Sequence, residues 1–257
     1  QAENAALIAA ISVRRGLPPR AASIALATAI QESKLYNLEY GDRDSLGLFQ
    51  QRPSQGWGTR RQILDPVYAT NRFYDALVRV EGYQDMRITE AAQAVQRSAY
   101  PEAYGAHERD ARTLASALTG ETTGGRFSCV VADDAPEAPT DLDATGLTQR
   151  AAAVRGELSQ TFGPLPMGGF EPGGVTSGHM AGSAHYEGRA IDVFFRPIGP
   201  VNRSRGWAVA QYLVANAARL RIGHVIFDDR IWTAGDASTE GWRDYQVPES
   251  SRGDRAI

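Results

Sequence analysis

The stretch Ala21 to Glu32 constrains this chain more than any other. From Ala21 to Ile30 only Ser23 and Thr28 interrupt a run of Ala, Ile and Leu. A helix that is apolar on every side has no face to offer water and has to be wrapped by other elements. The flanks agree with that reading. Ala2 to Arg15 forms an Ala/Ile-rich amphipathic stretch stopped by Gly16 and Pro18-Pro19, a breaker pair that ends one helix and opens the next. Asp65-Pro66 has the cap-then-proline form of a helix start, running to about Val80. Thr89 is the expected cap of a further helix, and Pro101 opens one more that stops near Gly120. Between the buried helix and Asp65 lies a loop-rich insert, Tyr36 to Leu64, with room for a strand or two.

From Thr119 to Thr145 the composition changes to Gly, Pro and acidic residues with few large apolar groups, the make-up of a linker. After it the periods are mixed. Thr148 precedes a helix to about Thr161, Arg189 to Phe195 reads as a strand, Gly206 to Leu220 as an amphipathic helix and His224 to Thr233 as a second strand. The expected class is α+β: an all-α domain over 1–118, a linker over 119–145, and a smaller mixed domain over 146–257. No repeat relates the halves. A length of 257 residues suits two domains.

Charge narrows the partners. Lys and Arg number 27 against 30 Asp and Glu, a net of −3 without a basic stripe, which argues against a general nucleic-acid binder. No window of about 18 residues is apolar and uncharged enough to span a membrane, and no secretory signal opens the chain at Gln1. Cys129, the single cysteine, has no internal partner for a disulfide and reads as a small apolar filler. Trp207 and Trp232 read as core residues, and Trp57 as either a cleft wall or a loop anchor.

Glu32 stands at the end of the buried helix. Partial burial and the negative end of the helix dipole both raise the pKa of a carboxyl, as a proton donor near neutral pH requires. Alone, a Glu after an Ala-rich helix is a solvated helix end. Its surroundings carry more. Ala29-Ile30-Gln31-Glu32-Ser33 is followed a dozen residues later by Ser45-Leu46-Gly47-Leu48-Phe49-Gln50. The pair resembles the signature of soluble lytic transglycosylases and goose-type lysozymes, with Phe49 where Met is commoner. The resemblance covers roughly residues 3–118. It implies a lysozyme-like fold cleaving the β-1,4 bond between N-acetylmuramic acid and N-acetylglucosamine, with Glu32 as the catalytic acid. Ser45, Gly47 and Gln50 would line the sugar cleft, and Tyr100 lies near the family's cleft tyrosine. Gly47 suits close backbone approach to a ligand, and Gln50 is placed to reach an N-acetyl group or Glu32. In a hydrolase the second group could be a carboxylate, for which Asp42 and Asp44 are candidates unless they are turn formers. A transglycosylase needs none, and that reading is slightly preferred.

In the second half, Ser183-Ala184-His185-Tyr186-Glu187-Gly188-Arg189-Ala190-Ile191-Asp192 brings an imidazole and a carboxylate, the donors zinc takes, onto a loop and the strand after it. The plainer alternative is a loop histidine, with Asp192 paired to Arg189 or Arg196. The string resembles the Ser-x-His-x-x-Gly-x-Ala-x-Asp motif of the lysostaphin, D-Ala-D-Ala metallopeptidase and hedgehog group, with Ser183, His185, Gly188, Ala190 and Asp192 at every fixed position. The resemblance covers about residues 146–245, and Gly241-Trp242-Arg243 is typical of an actinobacterial cell-wall branch. It implies zinc held by His185 and Asp192 and completed by a downstream His-x-His. None occurs before Ile257. The expectation is that the chain stops short of that element, so the third ligand is absent from it. The alternatives are that His179 or His224 substitutes, or that the site is degenerate.

Both resemblances imply one polymer. The expectation is a monomeric, extracellular or wall-associated peptidoglycan-degrading enzyme with a second, zinc-peptidase-like domain acting on wall peptides. The rivals are, from another class, a non-catalytic wall-binding or scaffold protein and, as a third reading, a phage or conjugation protein that opens the wall locally.

Overall fold

The computed structural model describes residues 1–132 and 138–246, and the chain divides into two compact units, Gln1–Thr123 and Gly124–Ile257. The class is α+β, dominated by helix.

The first unit is helical: α1 (Ala2–Arg14), α2 (Pro19–Ser33), the short α3 (Arg60–Ile63), α4 (Pro66–Leu77), α5 (Ile88–Gln96) and α6 (Glu108–Leu118). Helix α2 runs through the middle, touching α1, α4, α5 and α6. Its apolar residues from Ala21 to Ala29 are buried. The three hydroxyls that sequence would count against a buried helix bond to its own carbonyls: Ser23 to Pro19, Thr28 to Ile24 and Ser33 to Ala29, at 3.1, 2.8 and 3.0 Å. Each polar group is thereby satisfied without leaving the core. Pro19 occupies the first turn, where its missing N–H costs nothing, and the helix ends on left-handed Lys34.

The other elements differ in detail from expectation. Asp65 does cap α4, accepting from the Val67 N–H. Thr89 does not cap α5, which begins at Ile88; its hydroxyl bonds instead to the Pro101 carbonyl at 2.6 Å. Pro101 opens a turn and a 3-10 segment, Ala103–His107, before α6. The 36–64 insert contains one isolated bridge, Leu46 to Gln51.

The second unit holds α7 (Gln149–Phe162), α8 (Pro200–Ala215) and the short α9 (Ala217–Leu220). With them are a two-residue ribbon, β1 (Met167–Gly168) against β2 (Asp192–Val193), and an antiparallel sheet of β3 (His224–Phe227), β4 (Arg230–Thr233) and β5 (Arg243–Asp244) in the order β3-β4-β5. The expected strand 189–195 is therefore only two residues long, because β1 offers it no more partners. Trp207 and Trp232 are fully buried; Trp57 is partly buried, and its backbone carbonyl accepts from the Tyr68 hydroxyl.

The expected linker 119–145 is not one throughout. The Phe127 N–H donates to Gln211, and the Phe127 carbonyl accepts from the Trp242 indole. Trp232 donates to the Cys129 carbonyl, and the Val131 N–H bonds to Ser238. These residues line the second unit as an extended strap. The central part of the expected linker (133–137) and the C-terminal residues 247–257 lie outside the described residues.

Candidate functional site

In the first unit, Glu32 occupies the last turn of α2 and is half-buried. The hydroxyl of Tyr104, a fully buried residue, donates to Glu32 Oε1 at 2.7 Å. Burial, and then the Glu32 carboxylate beside it, push the Tyr104 phenol well above its ordinary pKa, so it remains a donor at any working pH. Beside Glu32, Gln31 Oε1 meets His107 Nε2 at 2.9 Å. Ser33 makes the tie that matters to the turn. Its hydroxyl donates to the Leu48 carbonyl at 2.8 Å as well as to Ala29, fastening the end of α2 to the segment Ser45–Gln50.

That segment is held largely by its own protein. Ser45 is buried. Gly47 has φ +74, and a Cβ there would lie 2.7 Å from the Ile63 carbonyl oxygen. The backbone that approaches Gly47 closely is thus Ile63. Gln50 turns back on its loop, its amide donating to the carbonyls of Tyr40 and Gly47 at 3.3 and 3.2 Å. Its neighbour Phe49 stacks on Phe73 with centroids 4.6 Å apart. Tyr100 is exposed; the tyrosine bonded to Glu32 is Tyr104, which sequence reasoning did not single out. An aromatic four residues after Tyr100 was the available signal. Asp44 accepts from Arg52 Nε at 2.6 Å and from both the N–H and hydroxyl of Ser54. Those bonds, the Ser54 N–H foremost, hold its pKa far below the usual carboxylate range. Asp42 is exposed on the surface.

In the second unit, His179, His185 and Asp192 each present a ligand atom within 4.8 Å of the others. The backbone explains how. Gly168 pairs with Asp192 across the ribbon, and the carbonyl of the next residue, Gly169, lies 2.8 Å from His185 Nδ1. A carbonyl can only accept, so Nδ1 carries the proton and Nε2 keeps its lone pair in the neutral ring. This is the outer-shell arrangement that orients a metal-binding histidine. Nε2 lies 3.4 Å from Asp192 Oδ1. A Cβ on Gly169 would fall 2.5 Å from His185 Nδ1 and 2.7 Å from Asp192 Oδ2, at φ +76. Only glycine lets the chain pass so close.

The motif's other fixed residues have equally local reasons. Ser183 caps the 3-10 turn Ala184–Glu187 by accepting from the His185 N–H. Gly188 ends that turn in the left-handed region, where a side chain would strike the Gly146 carbonyl oxygen. Asp192 pairs with neither arginine: Arg189 is bound to Glu187, and Arg196 lies over the Phe194 ring.

The expectation placed no third ligand in the chain, with His179 or His224 as the alternative substitutes; the structure sets His179 beside the other two as a candidate third donor. It comes from the glycine-rich loop ahead of the motif, its ring stacked on His185 with centroids 4.0 Å apart and planes 11° from parallel. Its backbone is gripped by Tyr186, whose hydroxyl accepts from the His179 N–H at 3.1 Å and donates to the His179 carbonyl. The hydrogen bond to Asp192 raises the His185 pKa, and the reciprocal contact lowers that of Asp192. His224 begins β3 with a solvent-exposed surface. The atoms crowded round its ring, and then the charges of Arg189 and His185, lower its pKa. It stands at the margin of the group rather than within it. Two imidazoles and a carboxylate, with one ring nitrogen locked by a backbone acceptor, are a donor set that fits a zinc-type ion.

Residues 143–255 match the family model described as VldE, C-terminal domain. That part of the chain, His179, His185 and Asp192 included, is similar to this family. A comparison with curated proteins finds no match.

Proposed function

We propose that the chain degrades peptidoglycan, with Glu32 as the proton donor that cleaves the β-1,4 bond between N-acetylmuramic acid and N-acetylglucosamine. The observation that carries this reading is the setting of Glu32: a half-buried carboxyl on the most buried helix, held at Oε1 by Tyr104 and tied through Ser33 to the Ser45–Gln50 turn. With Oε1 engaged, Oε2 is the oxygen left for substrate. The carboxylic acid delivers its proton to the leaving oxygen as the C1–O bond breaks. The carboxylate then takes the proton of the muramic 6-hydroxyl as that oxygen bonds to C1. A 1,6-anhydro end forms, no water is consumed, and Glu32 is protonated again. The engagement of Asp44 by Arg52 and Ser54 favours this transglycosylase route over a hydrolase route needing a second carboxylate.

For the second unit the reading is a zinc-peptidase-like domain acting on wall peptides. His185 offers Nε2, Asp192 an anionic oxygen and His179 the third donor. When bound, zinc supplies Lewis acidity and an activated water. Such a protein works at the wall, outside the membrane, as a monomer.

Purified sacculi incubated with the protein test the first half. Release of 1,6-anhydro muropeptides is expected, falling about 10²- to 10⁴-fold in Glu32→Gln. Equal release by both proteins overturns the reading, and sacculus binding without product favours the scaffold rival. Metal analysis tests the second half: bound zinc should be lost in His185→Ala.

A further inference from the structure

Outside the metal-ligating group, the second unit carries a cavity of about 390 Å³ lined by Arg155, Ser159, Pro164, Leu165, Met167 and Phe170. We propose that this cavity is a carboxylate-binding subsite for a peptide whose chain also passes the His179–His185–Asp192 group. The proposal rests on the reading of this unit as acting on wall peptides and names the chemical feature by which it would select them.

The argument starts with Arg155. It shares one face of α7 with Ser159, four residues on, and its guanidinium lies 4.9 Å from the centroid of the Phe170 ring. Among the described residues this guanidinium donates no hydrogen bond. Asp143 is the acid whose charge faces it, but Asp143 Oδ1 is occupied by the N–H and hydroxyl of Thr145 and the N–H of Leu147. The result is a cation lying over an aromatic ring with its planar fork of N–H donors unspent. That fork matches the two oxygens of a carboxylate. Around it, Pro164, Leu165, Met167 and Phe170 give apolar walls suited to small side chains such as methyl groups.

The position relative to the metal-ligating residues supplies the second half of the argument. Met167 lines the cavity and pairs with Val193; Gly168 pairs with Asp192; the Gly169 carbonyl holds His185; and Phe170 lines the cavity again. One four-residue run therefore serves both places. At about 3.3 Å of rise per extended residue, the two are separated by the length of only two or three residues of a bound peptide. A peptide lying across the ligand group would bring a free carboxylate, at its terminus or on a nearby side chain, to Arg155.

The test uses the full chain loaded with zinc and three synthetic stem peptides: L-Ala-γ-D-Glu-L-Lys-D-Ala-D-Ala, its C-terminal amide, and the form in which the glutamate carboxylate alone is amidated. Equilibrium binding is measured with the peptides recovered intact. The free pentapeptide should bind about 10- to 100-fold more tightly than one of the amides. Which amide weakens binding identifies whether the terminal or the side-chain carboxylate is read. Arg155→Met should abolish the difference, and Arg155→Lys should retain part of it. Zinc content equal to that of the parent shows that each variant is folded. Equal binding of all three peptides, binding of none, or a preference surviving in Arg155→Met overturns the proposal. Failure to load zinc would instead remove the peptidase reading, while the carboxylate preference is still read directly from the titration.

Discussion

Glu32 and the His179–His185–Asp192 group show two ways of holding a reactive side chain still. Glu32 rides on a 15-residue helix whose middle is closed in by four others, so its position follows from bulk packing. The second group sits on a glycine-rich loop, a four-residue 3-10 turn and a two-residue strand, none of which has a core of its own. Its geometry comes from close backbone approach at Gly169, from one hydrogen bond to the Gly169 carbonyl and from the two that Tyr186 makes with the His179 backbone. Packing tolerates the loss of one contact; an arrangement built on a few backbone contacts does not.

The most forceful way to probe that contrast is to damage the packing. Leu26→Ala, at a fully buried position in α2, should cost about 2–5 kcal/mol of stability in denaturant unfolding, while muropeptide release per folded molecule is retained. A comparable loss of activity at full folding would mean that the packing behind Glu32 does not tolerate the loss of one contact. The opposite experiment is Gly169→Ala. Its methyl group meets the His185 ring and Asp192, so zinc affinity should fall about 10- to 100-fold with little change in far-ultraviolet circular dichroism. Unchanged affinity would show that the loop relaxes.

Tyr104→Phe removes the hydroxyl that donates to Glu32 and keeps the ring. A stability loss of about 0.5–1.5 kcal/mol is expected, with a shifted pH–rate profile for muropeptide release; a stability loss with an unmoved profile would make Tyr104 purely structural.

The smallest effect concerns Glu157 in α7. Burial alone would raise its pKa, but the bonds from Arg219 and Tyr212 outweigh burial and hold it below the ordinary range. A depressed carboxylate stabilises the fold above its unfolded pKa, and that contribution disappears as pH falls through the folded value. Stability should therefore decline with acidification below about pH 4.5, the reference value for Glu, and Arg219→Ala should flatten that decline.

The same contrast explains what could be read in the sequence. Helix α2 was legible because an unbroken apolar run has one physical solution, and the α+β class followed from the change of period after it. His185 and Asp192 were legible as neighbours because only six residues of loop and strand separate them. His179 was not, because nothing in a glycine-rich loop fixes how far a ring will swing back, and its stacking on His185 depends on Tyr186 gripping its backbone. Tyr104 was passed over for Tyr100 because a 3-10 segment, unlike an α-helix, gives no dependable face. The Phe127–Val131 strap read as linker because its anchors, Gln211, Trp232, Ser238 and Trp242, come some 80 to 115 residues later.

Ser33 follows Glu32 directly, and its one hydroxyl serves two masters, Ala29 within the helix and Leu48 outside it. Alanine at this position would leave α2 intact and remove its side-chain tie to the loop. The carboxyl would stay in place while the floor beside it moved, so affinity for the glycan should suffer before the chemical step does.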